Sequence, residues 1–374
     1  MDQEPGEFAT ISDADVAHLR SMIGVPIRSQ RPHVSELSPD AIRHYAYGIG
    51  DRNPLWVDPE YPRTRGREQG APPSMLFAAD KVLSGYVTGL PGIHAMFAGA
   101  SFRFRRPLRA GDRLQAAATL RDLVERPSRF AGRSFQQIYE VEFRDEDGQD
   151  VCVARSYCFR TERDQARRKG KYEVSRVEWT PEQIEELAER YRAEEERRRG
   201  DQPRPVGSVS VGDRLPPVTK GPYTATTAIA YLLGWGGLYV RAHGDAFALF
   251  DAHPALAIPN EWGVPEPPER VHWDPDLAAR VGVPGAYDYG PERVSWLGHV
   301  VTDWMGDDGF LTDLDVEVRR HNLIGELVTC QGEVTAVDPS TGAVDVRLEA
   351  SNQDGEESAR GTARVILPID DQEH

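Results

Sequence analysis

The chain has 374 residues, too many for one ordinary core and suited to two domains with connections. Charged residues make up 28% and hydrophobic ones 39%, and no apolar run approaches the roughly 20 residues of a membrane helix, so a globular protein without membrane insertion is expected. A net charge of −16 opposes binding to nucleic acid phosphates, and nucleic acid is excluded as a partner.

In chain order, the opening MDQEPGEFATISDADV is acidic and polar, unlike a secretory leader. Residues 38–50 read as a helix capped by Ser38 with Pro39 at its first position. The polar segment Gly50-Asp51-Arg52-Asn53-Pro54-Leu55-Trp56 follows, and a second helix is expected over 73–88. Residues 102–123 read as two strands joined at Gly111-Asp112, and the next strand pair turns at Asp147-Gly148. Cys152 and Cys158 share one strand face and read as small buried hydrophobes. With Cys330 they make an odd count without disulfide or zinc spacing, and a reducing cytoplasm is the expected compartment.

Residues 180–200 form a strongly charged helix capped by Thr180, read as a solvated connector. Helical material returns at 224–245, before Pro-rich residues 246–270, which show no clear period and read as an insertion. Next come Val271-His272-Trp273-Asp274-Pro275 and the segment Tyr287-Asp288-Tyr289-Gly290, which opens a helix over 291–305. On that helix His299 and Asp303 are four apart and share a face.

Residues 316–337 then repeat the pattern of 102–123: a strand with Arg-Arg, a turn at Gly325-Glu326, and an alternating second strand. A hairpin turning at Asp354-Gly355 follows, as it does in the first half. Helices followed by antiparallel strands, twice over, indicate an α+β fold. The expected domains are 10–160 and 208–368, with a charged helical linker at 161–207.

Asp51 to Leu55 resembles the Gly-Asp-x-Asn-Pro-aliphatic-His signature of the MaoC-like hydratase/dehydratase family, in particular its (R)-specific enoyl-CoA hydratases. Trp56 stands where that family has its catalytic His. The second half resembles the downstream part of the same signature at His272, with the upstream Gly-Asp displaced to Gly244-Asp245. The resemblance implies a tandem, double hot-dog fold in which each half wraps a curved antiparallel sheet around a central helix. It implies reversible hydration of a 2-enoyl thioester, with no metal or cofactor. His272 would transfer the proton, Asp245 or Asp288 would handle water or orient His272, and Gly290 would supply an oxyanion donor at a helix N-terminus. Tyr287, Tyr289, Trp56, Asp51 and Asn53 would contact substrate. The expected partners are an acyl thioester on coenzyme A or a carrier protein, and further copies of the chain. A hot-dog thioesterase and a non-catalytic acyl-binding subunit stand as alternatives.

Overall fold

The computed structural model describes residues 10–28, 31–90, 92–127, 132–162 and 177–369. Its first half runs through helices α1 (Asp13–Ser21), α2 (Pro39–Gly48), α3 (Pro54–Val57), α4 (Glu60–Thr64) and α5 (Leu76–Ala79). Four strands follow: β1 (His94–Phe104), β2 (Gln115–Glu125), β3 (Ser134–Arg144) and β4 (Asp150–Thr161). Helix α6 (Pro181–Arg197) connects to the second half, which begins with β5 (Arg214–Lys220), α7 (Ala225–Trp235) and α8 (His243–Ala252). The short strands β6 (Ile258–Pro259) and β7 (Pro265–Glu266) pair before α9 (Pro275–Arg280) and α10 (Gly290–Met305). The chain closes with β8 (Phe310–Val318), β9 (Val328–Asp338), β10 (Ala343–Asn352) and β11 (Glu357–Ile366).

The two strand sets join into one antiparallel sheet in the order β2-β3-β4-β1-β8-β11-β10-β9-β5. Read outward from the β1–β8 seam, β1-β4-β3-β2 and β8-β11-β10-β9 follow the same path, with β5 added beyond β9, so the sequence repeat becomes a pseudo-twofold. The two turn glycines are matched as well: Gly111 has φ 89° and Gly325 φ 91°, a left-handed conformation that other residues adopt only at a cost. Alternation along the strands puts one row into the core, as in β10, where Val344, Val346, Leu348 and Ala350 are buried.

Helix α10 packs against strands β1, β5, β8, β9, β10 and β11. Every residue from Pro291 to Met305 is buried, so this helix is enclosed rather than amphipathic. None of the described helices is long and apolar enough to cross a membrane.

Three sequence expectations need correction. The helix expected over 73–88 is a 3-10 turn at Pro73–Met75 followed by the single turn of α5. Asp80 is extended there, and its carboxylate accepts from the Leu83 N–H at 2.7 Å, a local bond that competes with helix continuation. The connector helix α6 is not simply solvated. Its Glu194 accepts from the Thr219 N–H at 2.8 Å, and Arg198 just beyond it pairs with Asp303 of α10 at 2.8 Å. The stretch 246–270 is also more ordered than its composition suggests, since α8, a 3-10 turn and the β6–β7 pair occupy most of it.

Gly99 holds the seam together. It lies at a bulge in β1, has φ +146°, and faces Glu317 of β8, where a Cβ would overlap the Val316 carbonyl. Gly99→Val is expected to destabilise the protein by about 2 kcal/mol or more, read as a lower urea midpoint at unchanged m-value.

Candidate functional site

The first-half signature folds as a local motif. Asn53 caps α3, accepting from the Leu55 N–H at 3.0 Å, and Pro54 occupies the first helical position. The Asp51 carboxylate accepts from the Asn53 N–H at 2.9 Å and from the Trp56 indole N–H at 2.9 Å. Trp56 therefore occupies the carboxylate that it would have to leave free for acid–base work. Gly70 makes this possible, because a Cβ there would overlap the Trp56 ring.

Asp51 also faces the second half. His299 of α10 places Nε2 at 3.4 Å from Asp51 and 3.1 Å from Asp303. The Lys220 ammonium bonds His299 Nδ1 at 2.8 Å, and donates to the Ile49 and Gly50 carbonyls at 2.8 and 2.9 Å. Lys220 is fully enclosed, and burial lowers its pKa against the pull of Asp51, Glu194 and Asp303. Asp51, His299 and Asp303 bring ligand-type atoms within 4.8 Å of one another. They suit a metal poorly: Lys220 and Arg198 already balance the two carboxylates, and a dication would add excess charge to a buried site.

A cavity of about 540 Å³ adjoins this motif, lined by Leu55, Trp56, Phe104, Leu108, Met305 and Phe310 among others. Its size and lining suit an organic ligand. Asn53 and Trp56 reach it, whereas Asp51 does not line it.

The second-half residues gather at the other end of α10. His272 closes a 3-10 turn before α9, which Asp274 caps by accepting from the Leu277 N–H at 2.9 Å. Its Nδ1 lies 2.7 Å from the Tyr287 carbonyl, so Nδ1 carries the proton and Nε2 is left as an acceptor. The imidazole stacks on the Tyr289 ring at 3.7 Å and meets Tyr287 edge-on at 4.8 Å. Burial pushes its pKa down to about 3. His321, on the other side of Tyr287 at 4.2 Å between ring centres, is pushed down to about 3 for the same reason.

Neither expected carboxylate pairs with this histidine. Asp245 is exposed on α8, and no hydrogen bond among the described residues joins it to His272. Asp288 is fully buried and committed elsewhere: it pairs with Arg293 at 2.9 Å and accepts from the Asn322 backbone and side-chain N–H groups at 3.1 and 2.7 Å. Burial still raises its carboxyl to about 6. Gly290 opens α10 beneath Phe97 of β1, whose ring a Cβ at 290 would overlap. That crowding is reason enough for a glycine, alongside its place at the helix start.

Several residues at this end escaped sequence reading. Glu269 accepts from the backbone N–H groups of Leu238 and Tyr239. Glu292, in the first turn of α10, is buried, and its Oε2 has no partner among the described residues. The hydroxyls of Tyr223 and Tyr289 are likewise buried without a hydrogen bond among the described residues. Each such group costs about 1–3 kcal/mol if left unsatisfied. An acid near a helix start is a visible signal, but it reads as a favourable surface charge rather than a buried one.

Two tests follow. Lys220→Met should cost about 3–5 kcal/mol in urea unfolding, because it removes the cation beside buried Asp51 and the donor to the Ile49 and Gly50 carbonyls, while Asp51→Asn should lower stability and leave turnover per folded molecule near wild type. The second test is acid sensitivity. Unfolded, His272 and His321 titrate near 6.5, whereas folded they resist protonation to about 3. Their stability contribution is whole above pH 6.5 and declines as the pH falls toward 3. In His321→Gln the melting temperature should fall less steeply across that window.

Comparison with known proteins agrees with this architecture. Residues 21–154 match a family model described as the FAS1-like dehydratase domain region. A UPF0336 protein of Streptomyces avermitilis is 31% identical over 125 residues, which is 32% of this chain and 80% of that protein. A UPF0336 protein of Streptomyces coelicolor is 30% identical over 141 residues, 36% of this chain and 89% of that protein. Among solved structures, one titled MaoC-like dehydratase superposes with a TM-score of 0.66 at 16% identity, covering 94% of this chain and 99% of its own. A Chloroflexus aurantiacus structure titled putative MaoC domain protein dehydratase gives 0.59 at 13% identity, covering 99% and 100%. A Mycobacterium tuberculosis protein titled as having a double hotdog fold gives 0.51 at 11% identity, covering 91% and 94%. The α+β class expected from the repeat and the double hot-dog implied by the resemblance are thus the fold observed.

Proposed function

The chain belongs with the UPF0336 proteins and has the fold of MaoC-like dehydratases, and from that premise we propose that it reversibly hydrates a 2-enoyl thioester to the 3-hydroxyacyl thioester at the second-half site. One observation carries this reading. His272 is fixed in a single tautomer by the Tyr287 carbonyl, offers Nε2, and stacks on Tyr289, the residue that caps α10. A proton acceptor therefore stands beside a helix N-terminus, whose free N–H groups suit an enolate oxygen. In dehydration Nε2 takes the proton from C2 and the hydroxyl leaves C3; hydration is the reverse. Gly290 and the first turn of α10 hold the thioester oxygen, with Tyr287 and Tyr289 along the bound acyl group. The thioester is carried by coenzyme A or a carrier protein, in a cytoplasmic setting, and further copies of the chain are its expected partners.

A second reading is favoured by the cavity at Trp56. It lies at the C-terminal end of α10, beside Met305, while His272 lies at the N-terminal end. A helix of 16 residues separates them by about 20 Å. The cavity is therefore not an extension of the His272 site for a short acyl group. With Asp51 occupied by Trp56, it supports acyl binding without turnover.

His272→Ala should lower hydration of a short trans-2-enoyl-CoA by about 10²- to 10⁴-fold, with His253→Ala, exposed within the 246–270 segment, as a near-neutral control. Because burial keeps His272 neutral down to about pH 3, the wild-type rate should not fall between pH 7 and 5 as it would with an ordinary histidine. Thiol release without loss of the enoyl absorbance would make the protein a thioesterase. Thioester binding with neither activity would leave the acyl-binding reading.

A further inference from the structure

The second-half site has a base but no carboxylate of the expected kind, since Asp245 is exposed and Asp288 is held by Arg293 and Asn322. We propose, resting on the hydratase reading above, that Glu292 is the missing acid, and that with the hydroxyls of Tyr223 and Tyr289 it binds the water or 3-hydroxyl oxygen of the substrate.

The geometry comes from two elements. Glu292 lies in the first turn of α10, Tyr289 caps the same helix, and Tyr223 stands in the loop between β5 and α7. Exposures are 3%, 3% and 2%, and in each the terminal oxygen lacks a hydrogen-bond partner among the described residues: Oε2 of Glu292 and both hydroxyls. Polar atoms buried in folded proteins are nearly always paired. A carboxyl and two phenols left open around the start of α10 are a donor and acceptor set suited to an oxygen ligand. Burial raises the titration of both phenols, with Glu292 adding to it for Tyr223 and, after Glu269, for Tyr289. Tyr289 ties this cluster to the base, its ring being the one on which His272 stacks at 3.7 Å. Tyr231 and Trp235 hold the same ring from α7, with centroids at 5.5 and 5.0 Å.

Burial also sets the protonation state. Glu292 is raised well above the ordinary carboxylate range, with Asp288 adding to the effect and Lys220, Arg293 and the Tyr289 backbone opposing it. A carboxyl kept neutral can donate a proton. In dehydration His272 Nε2 takes the C2 proton, the C3–O bond breaks, and the Glu292 carboxyl gives its proton to the departing oxygen, forming water. The proton on His272 then returns to Glu292 through that water, so nothing is oxidised or reduced. Hydration is the reverse: the Glu292 proton passes to His272 through the bound water, the resulting carboxylate takes a proton from that water as its oxygen bonds C3, and His272 gives its proton to C2.

The test compares wild type, Glu292→Gln and Tyr223→Phe in hydration of a short trans-2-enoyl-CoA, with melting temperature as the folding check. Glu292→Gln should fold and lose about 10²-fold or more in kcat with KM little changed, and Tyr223→Phe should lose about tenfold. Infrared spectroscopy at pH 7 should show a protonated carboxyl band that is absent from Glu292→Gln and shifts when a saturated acyl-CoA binds. Wild-type hydration with Glu292→Gln equally active overturns the assignment and leaves the hydratase reading intact. A wild type inactive on every enoyl chain length overturns that reading and this assignment together. Should Glu292→Gln fail to fold, the wild-type spectrum decides: a band that shifts with ligand supports the assignment, and an absent or unresponsive band overturns it.

Discussion

A helix buried on every side is the constraint on which the rest of this molecule depends. Nothing along α10 from Pro291 to Met305 reaches solvent freely, yet it carries Glu292, Arg293, Ser295, His299, Thr302 and Asp303. Each polar side chain in such a place needs a partner from another element. Asp288 and the Arg320 and Ser358 carbonyls serve Arg293. Tyr45 of the first half meets Ser295 at 3.1 Å. Lys220, Asp51 and Arg198 serve His299 and Asp303. The helix is thus a common spine, and sheet, connector and first-half loop are positioned by what it must bury.

The two halves carry complementary parts of the signature that the sequence resembles. The first has the loop through Leu55, with Trp56 where the signature has histidine, and only the single turn of α5 as its helix. The second has the long helix and a histidine, with Pro267 and Pro268 before it in place of the loop. Asp51, expected to contact substrate, is engaged within the protein instead. Its oxygens accept from the Asn53 amide and the Trp56 indole and face His299, which couples the first half to the spine of the second.

Much of the fold was legible because its signals are local. The caps at Ser38 and Thr180 and the turns at Gly148 and Gly355 depend on a few neighbouring residues, and their chemistry is visible in the string. The repeat around Gly111 and Gly325 revealed the twofold path of the sheet for the same reason. The shortened helix after Pro73 was not legible. Its residues have ordinary helical character, and the break depends on where the Asp80 carboxylate turns. Glu194, read as one charge among many on α6, proved to bond β5, a contact no helical period reveals.

For the candidate site, the sequence by itself determined which residue types stand at which points of the motif: Trp56 in a histidine position, His272 before Asp274-Pro275, and Tyr289-Gly290 at a helix start. These are properties of adjacent residues. Only the tertiary structure decided which charges meet. It committed Asp288 to Arg293 and Asn322, left Asp245 in solvent, brought Lys220 under His299, and buried Glu292 with an oxygen unpaired. The physical reason is that a carboxylate's role is set by its burial and its neighbours in space. Those neighbours come from strands, loops and helices that are far apart in the chain and meet only when the sheet closes around α10.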